Sequence, residues 1–266
     1  MVLIESLNSN LRRVVKSIYF VGLKIKWNYK KSHASGIHTT AHILCVKNIA
    51  YAGVAIVAAE SFLYWNPSSN VVVHCDQNTF GQVSRKFRRL IKASKVRVIS
   101  DTPSTITWQE AKINIVCSLG GTSDIYMDAD LRWNGPCPPL NEPVFYVREF
   151  EISNRMEFQE IYNEVLKNRW PSALMSNTSF VFFNQRVISG ENASDIRDIF
   201  RLLSNWLGTE APVSPGTSQI RRLSEQIALS VVLNDAIDMG HLKQTDERAD
   251  GQFVETSYFG ATGLGF

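Results

Sequence analysis

The run Asp124-Ile125-Tyr126-Met127-Asp128-Ala129-Asp130 joins an apolar, strand-like segment to two carboxylates spaced i, i+2. Successive side chains of a strand point to opposite faces, so Asp128 and Asp130 share one side, where the apolar run gives way to the turn-forming Asn134-Gly135-Pro136. Two like charges about 5 Å apart repel by about 3 kcal/mol at an effective dielectric of about 20. The pair therefore asks for a cation, and hard oxygen ligands at a strand end suit Mg2+ or Mn2+ shared with substrate phosphates. On this reading, replacing either acid by Asn leaves the metal-free protein at least as stable. The ordinary alternative is a solvated surface cluster neutralised by Arg132.

Upstream, short apolar runs alternate with helical patterns. Ile43 to Val46 reads as a strand, followed by a helix from about Ala50 to Leu63 that is apolar nearly all round. After the break at 66–70, Val71 to Val73 starts a strand ending at Asp76. Thr79 can cap a helix whose stripe is Phe80, Val83, Phe87, Leu90 and Ile91, with Arg85, Lys86, Arg88, Arg89 and Lys92 on the other face. Val96 to Ile99 is a third strand, and Thr107-Trp108-Gln109-Glu110 is a capping box opening a helix that ends before Gly120-Gly121. The repeated strand–helix order predicts an α/β fold, a doubly wound, mostly parallel central sheet with helices on both faces and ligands outside the carboxyl ends of its strands. Lys47, Asn48, Asp76, Asp128 and Asp130 lie at those ends.

Downstream the order loosens. Val144 to Phe150 is an alternating strand, Asn154-x-x-Glu157 caps a helix, and Ser179 to Phe183 is a further strand. Helices follow from Ser194 and through Ile220, Leu223, Ile227 and Val231, and the tail from His241 is polar and glycine-rich.

With 266 residues, 44% hydrophobic and 11% aromatic, the chain suffices for one large domain plus a small appendage. Residues 1–40 hold seven Lys and Arg against Glu5, a local +6 within a total of +3, so the remainder is net −3. Leu7, Leu11, Ile18 and Val21 at helical spacing make residues 3–23 of this basic segment, residues 1–38, an amphipathic helix suited to peripheral contact with an anionic membrane face, to packing on the domain, or to a poorly ordered leader. Cys45, Cys75, Cys117 and Cys137 are scattered with no metal-ligand spacing, the pattern of reduced, buried thiols, and no run approaches the roughly 20 apolar residues of a membrane span. A cytoplasmic location is the expectation. Nothing in the basic stretches carries a nucleic-acid motif, so no nucleic-acid partner is expected.

The order of these pieces, over roughly residues 40–235, resembles the GT-A-fold glycosyltransferases of the nucleotide-diphospho-sugar transferase superfamily, which bear an Asp-x-Asp at the end of the fourth strand. The parts that carry the likeness are the 124–130 run, Asn48-x-x-Tyr51, Trp108-x-x-x-Lys112, Ser176-Asn177-Thr178 and Ser224-Glu225-Gln226-Ile227-Ala228-Leu229. The resemblance implies a domain over 39–266, with a nucleotide-binding half at 39–135 and an acceptor half at 136–266. It implies transfer of a sugar from a nucleotide diphosphate sugar donor to a glycan or lipid-linked acceptor hydroxyl. Asp128 and Asp130 would then hold Mn2+ or Mg2+, with His241 a candidate further ligand, although no clear late His motif follows. Asn48, Tyr51 and Asp76 would bind base and ribose, Lys112 would approach the donor, Asn177 would line the sugar pocket, and Glu225 would be the general base.

Ordinary roles stay open beside these: Asn48 as a helix cap, Tyr51 as core, Asp76 in an Asx-turn, Glu225 meeting a helix dipole. A sugar nucleotidyltransferase would share fold and metal, but the place after the first strand, Val46 to Gly53, lacks a glycine run. A dehalogenase-type phosphatase would carry Asp-x-Asp on its first strand. The non-enzyme alternative is a degenerate transferase-like binding module.

Overall fold

The computed structural model describes residues 38–46, 49–120, 122, 124–129, 131–133, 135–137, 144–150, 163, 166–168, 178–184, 188, 190–209, 224–233, 243–246 and 254–256. The basic segment 1–37, most of the helix expected after Asn154, and Lys47, Asn48, Asp130, Asn177 and His241 lie outside the described residues.

Strand β1 (Thr40–Leu44) leads into helix α1 (Ile49–Trp65), β2 (Asn70–Asp76), α2 (Gln77–Lys92), β3 (Val96–Thr102) and α3 (Trp108–Ser118). Two three-residue strands follow, β4 (Ile125–Met127) and β5 (Leu131–Trp133), then β6 (Val144–Phe150), β7 (Thr178–Asn184), α4 (Gly190–Thr209), helix α5 (residues 224–233), β8 (Lys243–Asp246) and β9 (Val254–Thr256). The main sheet has the order β3-β2-β1-β4-β7-β6-β8, and β5 pairs with β9. Strands β3, β2, β1 and β4 run parallel, β7 is antiparallel to both β4 and β6, and β8 is parallel to β6. The expected mixed α/β architecture, a parallel core flanked by helices, is the one observed.

Strand alternation builds the two layers of core. Ala41, Ile43, Val71, Val73, Cys75, Val96, Ile125 and Met127 point to one side, where Ala52, Ala55, Ala59 and Phe62 of α1 and Val83, Phe87 and Leu90 of α2 cover them. Alanines along α1 let its axis approach the sheet closely, so this helix buries one stripe and is not enclosed all round. On the other side Tyr126 joins Ile113, Val116, Ile196, Ile199, Leu203 and the α5 residues Ile227, Leu229 and Val231. Gly120 closes this layer against the chain at Ile188, since a Cβ there would stand 2.7 Å from the Ile188 carbonyl oxygen.

Two helix starts show how local chemistry sets these elements. Thr107 caps α3 as the capping pattern predicts, its hydroxyl accepting from the Glu110 N–H at 3.1 Å. The cap of α2 is Asp76, not Thr79: its Oδ1 accepts from the Thr79 N–H at 3.0 Å, and Thr79 instead donates its hydroxyl to the Asp76 carbonyl at 3.2 Å. The other end of α2 turns through Ser94, whose φ of 55° lies in the left-handed region. The tail contributes β8 and β9, which its polar, glycine-rich composition did not announce. The end of α1 anchors β5, with Trp65 Nε1–H donating to the Trp133 carbonyl at 2.9 Å and the Trp133 N–H to Ser61 Oγ at 3.0 Å.

The four cysteines are free and buried, and burial raises Cys45, Cys75 and Cys137 to about 12 and Cys117 to about 11. No helix among the described residues is long and apolar enough to cross a membrane.

Candidate functional site

Chain order moves outward from β1 through β2 to β3, then returns to place β4 on the other side of β1. In open α/β sheets that reversal leaves a crevice beyond the carboxyl ends of the two strands, because the connections on either side depart in opposite directions. A cavity of about 390 Å3 lies at that end, lined by Leu44, Val46, Tyr126, Asp128 and Ala129 of the β1 and β4 ends among others. Helix starts supply its rim: Tyr51 from the first turn of α1 and Trp108 from the first turn of α3. Both are about half exposed, at 49% and 41%, so neither serves as core.

One helical turn beyond Trp108, and therefore on the same face, Lys112 turns inward. Its ammonium is 2.9 Å from Asp128 Oδ1 and 3.9 Å from Glu225 Oε1, and lies 5.4 Å from the centre of the Tyr126 ring. Burial alone would lower the Lys112 pKa; Asp128, with Tyr126 and Glu225 behind it, reverses this and holds it above the ordinary range. Glu225, on α5, is fully buried, and neither carboxylate oxygen completes a hydrogen bond among the described residues. Burial pushes its pKa to about 7, against the pull of Lys112 and of the nearby backbone N–H groups of Glu225 and Gln226. A buried carboxylate that lines a cavity and is only weakly engaged by its own backbone is an acceptor set out for a ligand donor or for a proton.

Of the residues singled out in the sequence, the structure brings Tyr51, Lys112, Asp128 and Glu225 to one cavity. Asp76 stands apart as the buried cap of α2 at the end of β2, and is not among the cavity residues. Asn48, Asp130, Asn177 and His241 lie outside the described residues. Among the described residues no three His, Cys, Asp or Glu side chains converge to hold a metal ion. Asp128 is not waiting for its first counter-charge, because Lys112 already supplies one. Sequence reading assigned no role to Trp108 or Gln226, although one shares a helix face with Lys112 and the other adjoins Glu225.

No protein-family model matches the chain, and no curated protein does. Solved structures similar to it include the galactosyltransferase LgtC with donor and acceptor sugar analogues, at 13% identity and TM-score 0.49, covering 79% of this chain and 74% of that one. Mouse xyloside xylosyltransferase 1 is similar at 12% identity and TM-score 0.41, over 79% and 86% of the two chains. A putative glucose-1-phosphate thymidylyltransferase from Bacillus anthracis is similar at 8% identity and TM-score 0.39, over 79% and 87%. At that distance the chemistry has to come from the cavity's own residues.

Proposed function

We propose that the chain is a GT-A-type glycosyltransferase that moves a sugar from a nucleoside diphosphate donor to an acceptor hydroxyl. The observation that carries this reading is the meeting of Lys112, Asp128 and Glu225 in one cavity at the switch point of the sheet, beneath an aromatic rim. Each part answers a demand of the reaction. A departing nucleoside diphosphate gains negative charge, and a fixed, buried ammonium stabilises it without reorganising. The acceptor hydroxyl must lose its proton, and a carboxylate held at about 7 is poised to take it. Tyr51 and Trp108 offer flat apolar faces to a base or a sugar ring.

The donor set also fits a divalent ion of the hard class. Asp128 keeps one carboxylate oxygen beyond the one Lys112 takes, and Mg2+-type sites use one or two carboxylates and complete their shell with waters and substrate phosphates. Asp128 with Asp130 would hold Mn2+ or Mg2+, His241 being a further candidate ligand, and the ion when bound would act as a Lewis acid toward the diphosphate. Acceptor chemistry is that of a glycan or lipid-linked hydroxyl, and the basic N-terminal segment would place the enzyme at the inner face of a membrane.

A thermal-shift panel of nucleoside diphosphates and nucleotide sugars, each with and without Mn2+, tests the reading. A specific ligand at a hundredfold excess over Kd stabilises by about 2.7 kcal/mol. Failure of every nucleotide to move the transition, with and without Mn2+, overturns it.

A further inference from the structure

One register below the cavity, the same face of the sheet holds a chain of four polar side chains that the proposed reaction does not use. Asp124 Oδ2 is 3.3 Å from His42 Nε2, His42 Nδ1 is 2.8 Å from His74 Nε2, and His74 Nδ1 is 2.7 Å from Asp101 Oδ2. The four stand on neighbouring strands, Asp124 just before β4, then His42 on β1, His74 on β2 and Asp101 on β3. Both imidazoles are 5% exposed, on strands whose opposite face, Ala41, Ile43, Val71, Val73 and Cys75, is apolar. His42 pairs in register with Tyr126, and the next residues on that face, Leu44 and Asp128, line the cavity.

Counting protons decides what this chain is. Three contacts need three hydrogens, because each carboxylate only accepts when ionised and a nitrogen pair needs one hydrogen between its lone pairs. Two neutral imidazoles supply two. The chain is therefore one hydrogen short until one imidazole becomes a cation. The longest contact, His42 to Asp124, is the place for the gap.

We propose that Asp124, His42, His74 and Asp101 form a proton-loaded strap across β4, β1, β2 and β3, open by one hydrogen at the His42–Asp124 contact near neutral pH and closed by uptake of a single proton there. In the open state both rings carry their hydrogen on Nδ1: His74 donates to Asp101 and His42 donates to His74, leaving the His42 Nε2 lone pair opposite the Asp124 carboxylate. In the closed state His42 is an imidazolium between His74 and an ionised Asp124. Closure ties the start of β4 to β1, and the strand so fixed ends at Tyr126 and Asp128 in the cavity.

The charges acting on the pair, among the described residues, are Asp124, Asp101 and Arg97. The two carboxylates make the open strap net −2 and the closed one net −1, and Arg97 beside it offsets one further charge, so the added proton is compensated. Burial, then the neighbouring His74, opposes it and lowers His42 to about 4, against the pull of Asp124; Arg97 adds to the opposition. Burial likewise lowers His74, against the pull of Asp101. The sign follows: His42 is harder to protonate folded than unfolded, so the open strap adds stability above about pH 6.5 that is lost as pH falls toward 4.

The test is nitrogen NMR of the full chain, 15N-labelled at its five histidines. At pH 7.5 the expected spectrum shows His42 and His74 both protonated on Nδ1 alone, with His42 gaining its Nε2 hydrogen at a midpoint well below 6.5. A hydrogen on His42 Nε2 at pH 7.5, or an ordinary midpoint near 6.5, overturns the proposal. Asp124→Asn gives a second readout, since its amide can donate to the bare His42 Nε2. That variant is expected to melt about 2 to 4 °C higher than wild type at pH 7.5, the shift for one hydrogen bond in a chain of this size. An unchanged or lower transition counts against the open contact. Neither readout requires a nucleotide, so failure of the transferase reading would leave this test intact.

Discussion

Glu225→Gln separates what the cavity does for the fold from what it does for a ligand. The carboxylate is fully buried without a completed hydrogen bond among the described residues, and its pKa rises from an ordinary 4.5 to about 7. Folded protein therefore holds this proton more tightly than the unfolded chain does. Stability from this group is complete below about pH 4.5 and is lost as pH climbs through 7, because ionising the buried group then works against folding. The rise corresponds to about 3 kcal/mol between those limits. Attraction from Lys112 is already counted in that value. Glutamine keeps the shape and cannot ionise, so the variant loses the slope. Urea unfolding at pH 5, 6, 7 and 8 should show wild type losing ground to the variant by about 3 kcal/mol across the series. Nucleotide-sugar turnover should move the other way, falling at least about a hundredfold if Glu225 accepts the acceptor proton. Wild-type and variant stabilities that run parallel from pH 5 to 8 would refute the argument.

Four further outcomes follow from single contacts. Asp128→Asn leaves the Lys112 ammonium buried with Glu225, at 3.9 Å, as its remaining carboxylate among the described residues, so it should destabilise the unliganded protein by about 2 to 3 kcal/mol, less than for a fully buried pair because Asp128 is partly open to solvent; a loss under about 0.5 kcal/mol in urea would count against the ion pair. Asp76→Ala should cost about 1 kcal/mol of stability through the lost cap, with nucleoside diphosphate affinity by calorimetry unchanged; weaker binding would return Asp76 to the ligand site. Tyr51→Ala, at a half-exposed rim position, should leave the melting temperature within about 2 °C while lowering nucleotide affinity about tenfold; unchanged affinity removes the rim from the binding account. Ser94→Gly should stabilise by about 1 kcal/mol, because the left-handed turn after α2 strains a residue with a Cβ, and an unchanged unfolding midpoint would argue against that strain.

Local signals were the legible ones. The Thr107 to Glu110 capping box and the apolar run into Asp128 each act within one turn or one strand and stand where their patterns put them; of the expected α2 stripe, Val83, Phe87 and Leu90 are buried while Phe80 and Ile91, at its two ends, are exposed. The choice between Asp76 and Thr79 as cap was harder, since two good capping residues sit three apart and only backbone geometry decides which stays outside the helix. The 124–130 run was expected to be one strand; it is three residues of β4, then a turn in which the Leu131 N–H reaches the Asp128 carbonyl at 3.4 Å, then β5 paired elsewhere. Strands β8 and β9 were invisible because their order comes from β6 and β5, distant in sequence, rather than from their own composition. The histidine strap needed the relative register of four strands, which no single stretch encodes.

In the fold, a divalent ion proposed for the cavity would answer a different charge. Read alone, Asp128 and Asp130 repel, and the cation relieves that repulsion. In the fold, Lys112 already neutralises Asp128, so relief of strain within the protein no longer requires a metal. The demand comes instead from the ligand. With Glu225 ionised, Lys112, Asp128 and Glu225 together are net −1, and a nucleoside diphosphate would bring further negative charge into a cavity of about 390 Å3 where one ammonium is already shared between two carboxylates. Either Glu225 stays protonated or an added cation enters with the diphosphate. Mn2+ without nucleotide should then bind weakly and shift the melting transition little, while Mn2+ and nucleoside diphosphate together shift it by more than the sum of their separate effects. Strictly additive shifts would mean that the two do not meet, and would leave Lys112 as the positive charge that the described cavity residues offer the diphosphate.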